Sequence, residues 1–337
     1  MRADQRAAYV RCVGSSASPA GSADDVGPSY RSQRYWLRYQ RFFPGSLRTD
    51  LASAPTEEWM SWRGRRLHVD RVARPDAPAK LIALHGIGSY GRMLAAYGRL
   101  PAFADLEFIA PDLPGFGLSA RSLRSPVYRD WVECATELVA AERQRDERPV
   151  VLFGVSTGGQ LAYEVAARSG GGVSAVIATC LFDVRQRVVR RCLVTRPALA
   201  SSSGALRLVP WPLSALRLPV NRLTNVAAIA NHTQFANLVW ADPLAGSRGL
   251  SLAFVRSWLA GRPGTAPESY SGPPLLLACP EEDGWVPPLF SQRFCARLPA
   301  ETRSVRLRGT GHLPLEESGL ADLDRAVFDF FDEFRFW

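Results

Sequence analysis

The stretch from Pro149 to Val165, PVVLFGVSTGGQLAYEV, leaves this chain little freedom. Val150, Val151, Leu152 and Phe153 form an uninterrupted apolar run of strand length, the signature of a buried strand. The run stops at Gly154, and small or apolar residues then recur at 158, 161, 162, 165 and 166, which is helical spacing. Ser156 therefore falls in a sharp strand-to-helix turn between Gly154 and Gly158. Such a turn strains the backbone at its apex and admits only small residues two positions to either side, which is the physical content of G-x-S-x-G. It lifts the hydroxyl above a sheet and aims the free N–H groups of the helix at whatever binds there.

The flanking sequence keeps the same rhythm. Glu58–Trp62 and Arg66–Val72 read as a hairpin around Arg63-Gly64, and Leu81–Leu84 as a strand followed by a helix near Arg92–Leu100. Glu107–Ala110 is the next strand and Val127–Glu142 the next helix. Beyond the turn come strands at Val173–Thr179, 274–279 and 303–308, then a closing amphipathic helix, Leu320–Phe334. Strands alternating with helices imply an α/β fold with a mostly parallel sheet and helices on both faces. The core is expected over 57–183 and 271–337. The interval 184–270 breaks the alternation with helical patches, three tryptophans and several prolines, and is expected to be a structured insertion acting as a helical cap. Residues 1–29, rich in Ser, Ala, Gly and Asp, are expected to be a mobile tail. Residues 30–56 form an extension whose segment 30–43, YRSQRYWLRYQRFF, predicts a short helix. Arg31, Arg34, Arg38 and Arg41 fall near one face of it, and Tyr35, Trp36, Tyr39 and Phe42 supply apolar surface. Such a helix either rests on a membrane or packs on the body of the protein, and packing is the commoner fate of a half-apolar helix.

Composition narrows the function classes. A hydrophobic content of 47% with 22% charged residues describes a globular protein, and no run of about 18 apolar residues suggests a membrane span. The N-terminus lacks the apolar core of a signal peptide, so a cytoplasmic location is expected. The net charge of +9 comes from scattered arginines without nucleic-acid motif spacing, which argues against a nucleic-acid partner. Cys12, Cys134, Cys180, Cys192, Cys279 and Cys295 form no C-x-x-C and are expected to be reduced. His68, His85, His232 and His312 have no metal-ligand spacing, so no metal is expected.

A serine hydroxyl is a poor nucleophile unless a base takes its proton, and an imidazole base needs an anion to fix its tautomer. His312, in the Gly-rich loop GTGHLPLEE after the last strand, is the best placed base. Asp283, in PEEDGWVPP after strand 274–279, is the candidate acid, with Glu281, Glu282 and Asp183 as competitors. The order Ser156, Asp283, His312 places all three just after strands, at the carboxyl edge of a parallel sheet where ligand sites form. The backbone N–H of Thr157 and one from HGIGSYG, Ile87 first and Gly88 second, are candidate oxyanion donors. His85 is expected to brace that loop. The same loop offers a rival reading: residues 86–91 match G-x-G-x-x-G, and Asp112 lies where a ribose-binding acid of a dinucleotide-dependent oxidoreductase would. That rival leaves Ser156, Asp283 and His312 without a role. A non-catalytic binding protein is a further alternative, although a receptor has no need of all three groups.

LHGIGSYG (84–91), PDLPGFGLS (111–119), GVSTGG (154–159), EDGWVP (282–287) and GTGH (309–312) together resemble the recurring blocks of the α/β-hydrolase superfamily, over about residues 57–335. Within it the layout looks most like bacterial monoacylglycerol lipases and lysophospholipases. The resemblance implies Ser156 as nucleophile, His312 as base, Asp283 as acid and Thr157 and Ile87 as oxyanion donors, with no cofactor. It also implies a small-molecule ester substrate. The extension is not part of the superfamily's common core. Gly88, Trp211, Phe235, Trp240, Trp258 and Trp285, with Leu238, are candidate pocket walls, which favours an apolar acyl group. Amide or carbon–carbon cleavage and acyl transfer run on the same three groups.

Overall fold

Short apolar strands separated by amphipathic helices bury their surface most completely as a sheet with helices on both faces. The computed structural model has this form and describes residues 28–121, 123, 125–194, 211–219, 225–260, 265–299 and 301–336. One sheet contains β1 (Thr56–Trp62), β2 (Arg65–Val72), β3 (Lys80–Leu84), β4 (Glu107–Pro111), β5 (Val150–Gly154), β6 (Ala175–Ala178), β7 (Leu275–Pro280) and β8 (Thr302–Leu307). Their spatial order is β1-β2-β4-β3-β5-β6-β7-β8. Only β2 runs against the others, being antiparallel to both β1 and β4. The β1–β2 hairpin turns at Arg63-Gly64, both with positive φ (48° and 68°), the geometry that matches the twist of paired strands.

The helices are α1 (Tyr35–Tyr39), α2 (Pro101–Ala104), α3 (Tyr128–Arg145), α4 (Thr157–Arg168), α5 (Arg187–Leu193), α6 (Thr233–Ala241), α7 (Leu252–Ala260), α8 (Pro288–Cys295) and α9 (Glu317–Glu333). Side chains alternate across each strand. Val150 and Leu152 of β5 join the core under α3 and α4, with Leu138, Leu161 and Val165. Val151 and Phe153 join the opposite core, with Phe103 of α2 and Leu323, Val327 and Phe331 of α9. No described helix is long and apolar enough to cross a membrane.

Three details depart from or complete the sequence reading. The helix expected near Arg92–Leu100 is instead two 3-10 turns, Gly91–Leu94 and Tyr97–Arg99. This segment lies directly on β4: a Cβ at Gly91 would sit 2.5 Å from the Ala110 carbonyl oxygen, and one at Gly98 2.5 Å from the Phe108 ring. A regular helix needs a layer of side chains between its backbone and the sheet. In the extension, α1 and the 3-10 turn Gln40–Phe42 pack inward, with Trp36 and Tyr39 buried, so the aromatic side is used by the protein's own core. The tail expected over 1–29 lies outside the described residues as far as Gly27, and Ser29 hydrogen-bonds Glu57 (3.0 Å). The described parts of the insertion contain α5, α6, α7 and a two-residue antiparallel ladder, Arg217–Leu218 with Leu250–Ser251.

The extension is fixed to the sheet through a buried polar group. Tyr30 donates to Asp112 (2.7 Å), and Arg92 grips both oxygens of Asp70 (2.6 Å each). His68 of β2 is fully buried, 3.1 Å from Asp112 and 3.6 Å from Glu57 and Asp70. Burial by itself lowers its pKa, but the attraction of Asp112, Glu57 and Asp70 outweighs it and raises the value to about 10. A folded-state pKa above the unfolded one means stability that is present in full below pH about 6.5 and lost as pH rises through about 10. The melting temperature is therefore expected to fall between pH 7 and 10, and to fall less in His68→Gln. Parallel pH curves for the two proteins would show that His68 is not the group responsible.

Candidate active site

β5 ends at Gly154, and the chain reverses through Val155 and Ser156 into α4. Ser156 has φ 59° and ψ −131°, outside the regions L-residues favour. Two contacts explain why it stays there. A Cβ at Gly158 would lie 2.0 Å from the Leu84 carbonyl oxygen, so α4 starts hard against the end of β3. The Ser156 N–H also donates to the Thr179 hydroxyl (2.9 Å), tying the turn to the end of β6.

Two loops bring the distant groups to this turn. After β8, the loop 308–311 carries His312 back over the sheet, where its Nε2 lies 2.6 Å from Ser156 Oγ. Its Nδ1 lies 2.7 Å from Asp283 Oδ2. A carboxylate accepts, so Nδ1 carries the proton and Nε2 is left to accept the serine proton. Asp283 is held by its other oxygen, which accepts the N–H groups of Trp285 (2.8 Å) and Val286 (2.7 Å). All three side chains are nearly buried, and the Trp285 ring meets the imidazole edge-on at 4.6 Å. The competing acids are engaged elsewhere. Glu282 accepts from Asn231 (2.9 Å), Glu281 from the Gly309 N–H (3.3 Å), and Asp183 pairs with Arg185 (2.7 Å).

The loop after β3 lies over the serine. A Cβ at Gly86 would come within 2.9 Å of Ser156 Cβ and 3.0 Å of the Val155 carbonyl oxygen, so a side chain there would have to displace the serine turn. His85 braces this loop: its Nε2 accepts the Leu113 N–H (3.0 Å) and its Nδ1 donates to the Gly86 carbonyl (2.8 Å). Burial lowers the His85 pKa to about 4, so the ring stays neutral in this role. Ile87 lines the cavity beside Ser156, and Thr157 is the first residue of α4, where an N–H has no acceptor within the helix. The dinucleotide reading fails at Asp112. That carboxylate is fully buried and takes Tyr30 OH and the N–H groups of Gly91 and Leu118, leaving nothing to offer a ribose.

Ser156 and His312 open onto a mostly apolar cleft enclosing about 680 Å³ out to its mouth. Of the wall residues expected from sequence, Gly88, Phe235, Trp240 and Trp285 line it. Trp258 and Leu238 do not: Trp258 packs edge-on against Phe182, and Leu238 faces the core beneath α6. The side chain of Trp211 lies outside the described residues. Sequence reasoning missed Phe43, Met93, Tyr97, Ile229 and Leu313. These are ordinary apolar residues on separate segments, with no spacing that would mark them.

The profile of the Alpha/beta hydrolase family matches residues 81–326, more than half of the chain. The chain belongs to the α/β-hydrolase family. Lipase LipV of Mycobacterium tuberculosis is 32% identical over 138 residues, 39% of this chain and 49% of that one, so the chain spans about half the length of this relative. Among solved structures it is similar to a carboxyl esterase from Bacillus coagulans (14% identity, TM-score 0.67, 83% of this chain and 99% of that one). It is also similar to a soluble variant of the monoglyceride lipase of Saccharomyces cerevisiae (13% identity, TM-score 0.66, 87% and 98%). These identities carry the fold alone. Like other α/β hydrolases the chain presents its candidate groups at the carboxyl edge of the sheet, whereas its extension lies outside the matched range.

The His312 Nδ1 proton, held by a buried carboxylate, is expected to give a resolved downfield resonance in the proton NMR spectrum. Asp283→Asn should remove it while shifting the melting temperature by no more than about 5 °C. A resonance that survives the substitution would mean that another group holds the ring.

Proposed function

We propose that this α/β hydrolase is a serine hydrolase that cleaves a carboxylic ester with an apolar acyl group through an acyl-enzyme. One observation carries the reading: a hydroxyl, an imidazole and a carboxylate in contact, 2.6 and 2.7 Å apart, at the floor of an apolar cleft. His312 Nε2 removes the Ser156 proton as Oγ attacks the carbonyl carbon, and Asp283 stabilises the imidazolium that forms. The carbonyl oxygen becomes an oxyanion, and the N–H groups of Thr157 and Ile87 are its donors in this reading. His312 then returns the proton to the departing alcohol, and a water repeats the sequence to free the acid.

The substrate class follows from the walls. Phe235, Val239, Trp240 and Leu313 offer apolar surface to an acyl chain. Among the described residues lining the cleft, none carries a permanent charge, which favours a neutral ester over the charged headgroup of a lysophospholipid. The similar structures of a monoglyceride lipase and a carboxyl esterase, and the relative Lipase LipV, support that class.

Ser156→Ala is expected to lower kcat on p-nitrophenyl esters by about a millionfold and to abolish labelling by a fluorophosphonate. Its melting temperature should stay close to that of the parent, because the substitution removes a single oxygen. Unchanged esterase turnover in that variant would refute the assignment.

A further inference from the structure

The N-terminal extension lies outside the range matched to the family, yet one of its side chains, Phe43, lines the cleft. We infer that residues 30–47 form a strap that completes the acyl-binding wall, with Phe43 as a specificity-determining residue and Tyr39 as the positioning residue that holds the cap helix α6 against it. The inference rests on the hydrolase reading above and deepens it.

Phe43 is buried and lines the same cleft as Ser156, packed edge-on against Tyr97 (5.4 Å, 89°), which also lines it. Tyr97 is fixed in turn, its hydroxyl donating to the Pro314 carbonyl two residues beyond His312 (2.7 Å). The Phe43 ring is therefore a firm boundary rather than a loose flap.

The strap also holds the wall contributed by the insertion. Helix α6 supplies Phe235, Val239 and Trp240 to the cleft and ends at Asp242. Asp242 Oδ2 accepts the hydroxyl of Tyr39 from the strap and that of Tyr90 from the loop after β3, each at 2.9 Å. Phe235 is contacted from the strap by Tyr39 (5.5 Å) and Phe42 (5.3 Å). One carboxylate of the cap is thus clasped by one tyrosine of the core and one of the strap. The other end of the strap is anchored through Tyr30 on Asp112, and Trp36 closes back on that end, its indole N–H donating to the Tyr30 carbonyl (2.9 Å). Such an arrangement sets both the shape of the wall and the distance of α6 from the serine.

The test measures kcat/KM on p-nitrophenyl butanoate, octanoate and dodecanoate with the full chain and its variants. Phe43→Ala opens the wall and is expected to raise the dodecanoate-to-butanoate ratio by about tenfold, and Phe43→Trp to lower it by a similar factor. Phe43→Leu keeps most of the buried volume and should move the ratio in the direction of Ala, so the question is answered even if Ala is not recovered folded. Tyr39→Phe removes one of the two tyrosyl donors to Asp242 and should raise KM for the long esters more than it changes kcat. A purely structural strap would lower all three rates in parallel. A parallel loss, or an unchanged ratio in the variants of an active parent, overturns the strap alone. A parent inert toward every ester and unlabelled by a fluorophosphonate overturns the hydrolase reading and the strap with it.

Discussion

A serine held at φ 59° between a strand and a helix is the constraint on which the rest of this structure depends. A non-glycine residue in such a conformation costs on the order of 1–3 kcal/mol and persists only where its surroundings over-determine it. Here they do. The end of β3, the start of α4 and the end of β6 meet at Ser156 with no room for a side chain at Gly158, and Thr179 takes the serine's own N–H. Each of these contacts requires parallel strands in the order β3-β5-β6 with their carboxyl ends aligned. The strained turn and the sheet topology are thus two expressions of one requirement.

Around that turn the chain spends buried polar groups in a consistent way. The partners of each decide whether it is left for chemistry. His85 braces its loop through both ring nitrogens and is left out of the chemistry. Asp283 spends one oxygen on two backbone N–H groups and keeps the other for His312. Asp112 spends both oxygens, which makes it a structural anchor for the extension rather than a ligand-binding acid. The cleft itself is made by surfaces from distant parts of the chain: the loop after β3 and the segment following it, the serine turn, the loops that carry Trp285 and His312, the insertion and the extension.

The sequence made several of these features legible because each rests on local chemistry. G-x-S-x-G needs no tertiary information, since the clash that demands glycine lies within the turn and its immediate neighbours. The central strands β3, β5, β6 and β7 were readable from apolar runs, and the hairpin from Arg63-Gly64. The segment 92–100 was misread because its periodicity is helical while its closeness to β4 is a matter of packing. Trp258 and Leu238 were misplaced for a related reason: a large apolar side chain serves a pocket wall and a core equally well, and only the facing surface distinguishes them. Asp283 had three rival carboxylates, two of them its neighbours in the chain, and no local signal ranks an acid by the imidazole it will meet.

The sequence by itself determined the strand-and-helix alternation, the position of the serine turn and the chain order of the three candidate groups. Backbone sterics and apolar periodicity act over a few residues and can be read there. Only the tertiary structure decided that Asp283 rather than Glu281, Glu282 or Asp183 holds the imidazole, that Asp112 is closed to ligands, and that Phe43 faces the serine's cleft. Those are distances between segments up to hundreds of residues apart, fixed by how the helices, the insertion and the extension pack on the sheet, and no stretch of sequence encodes them alone.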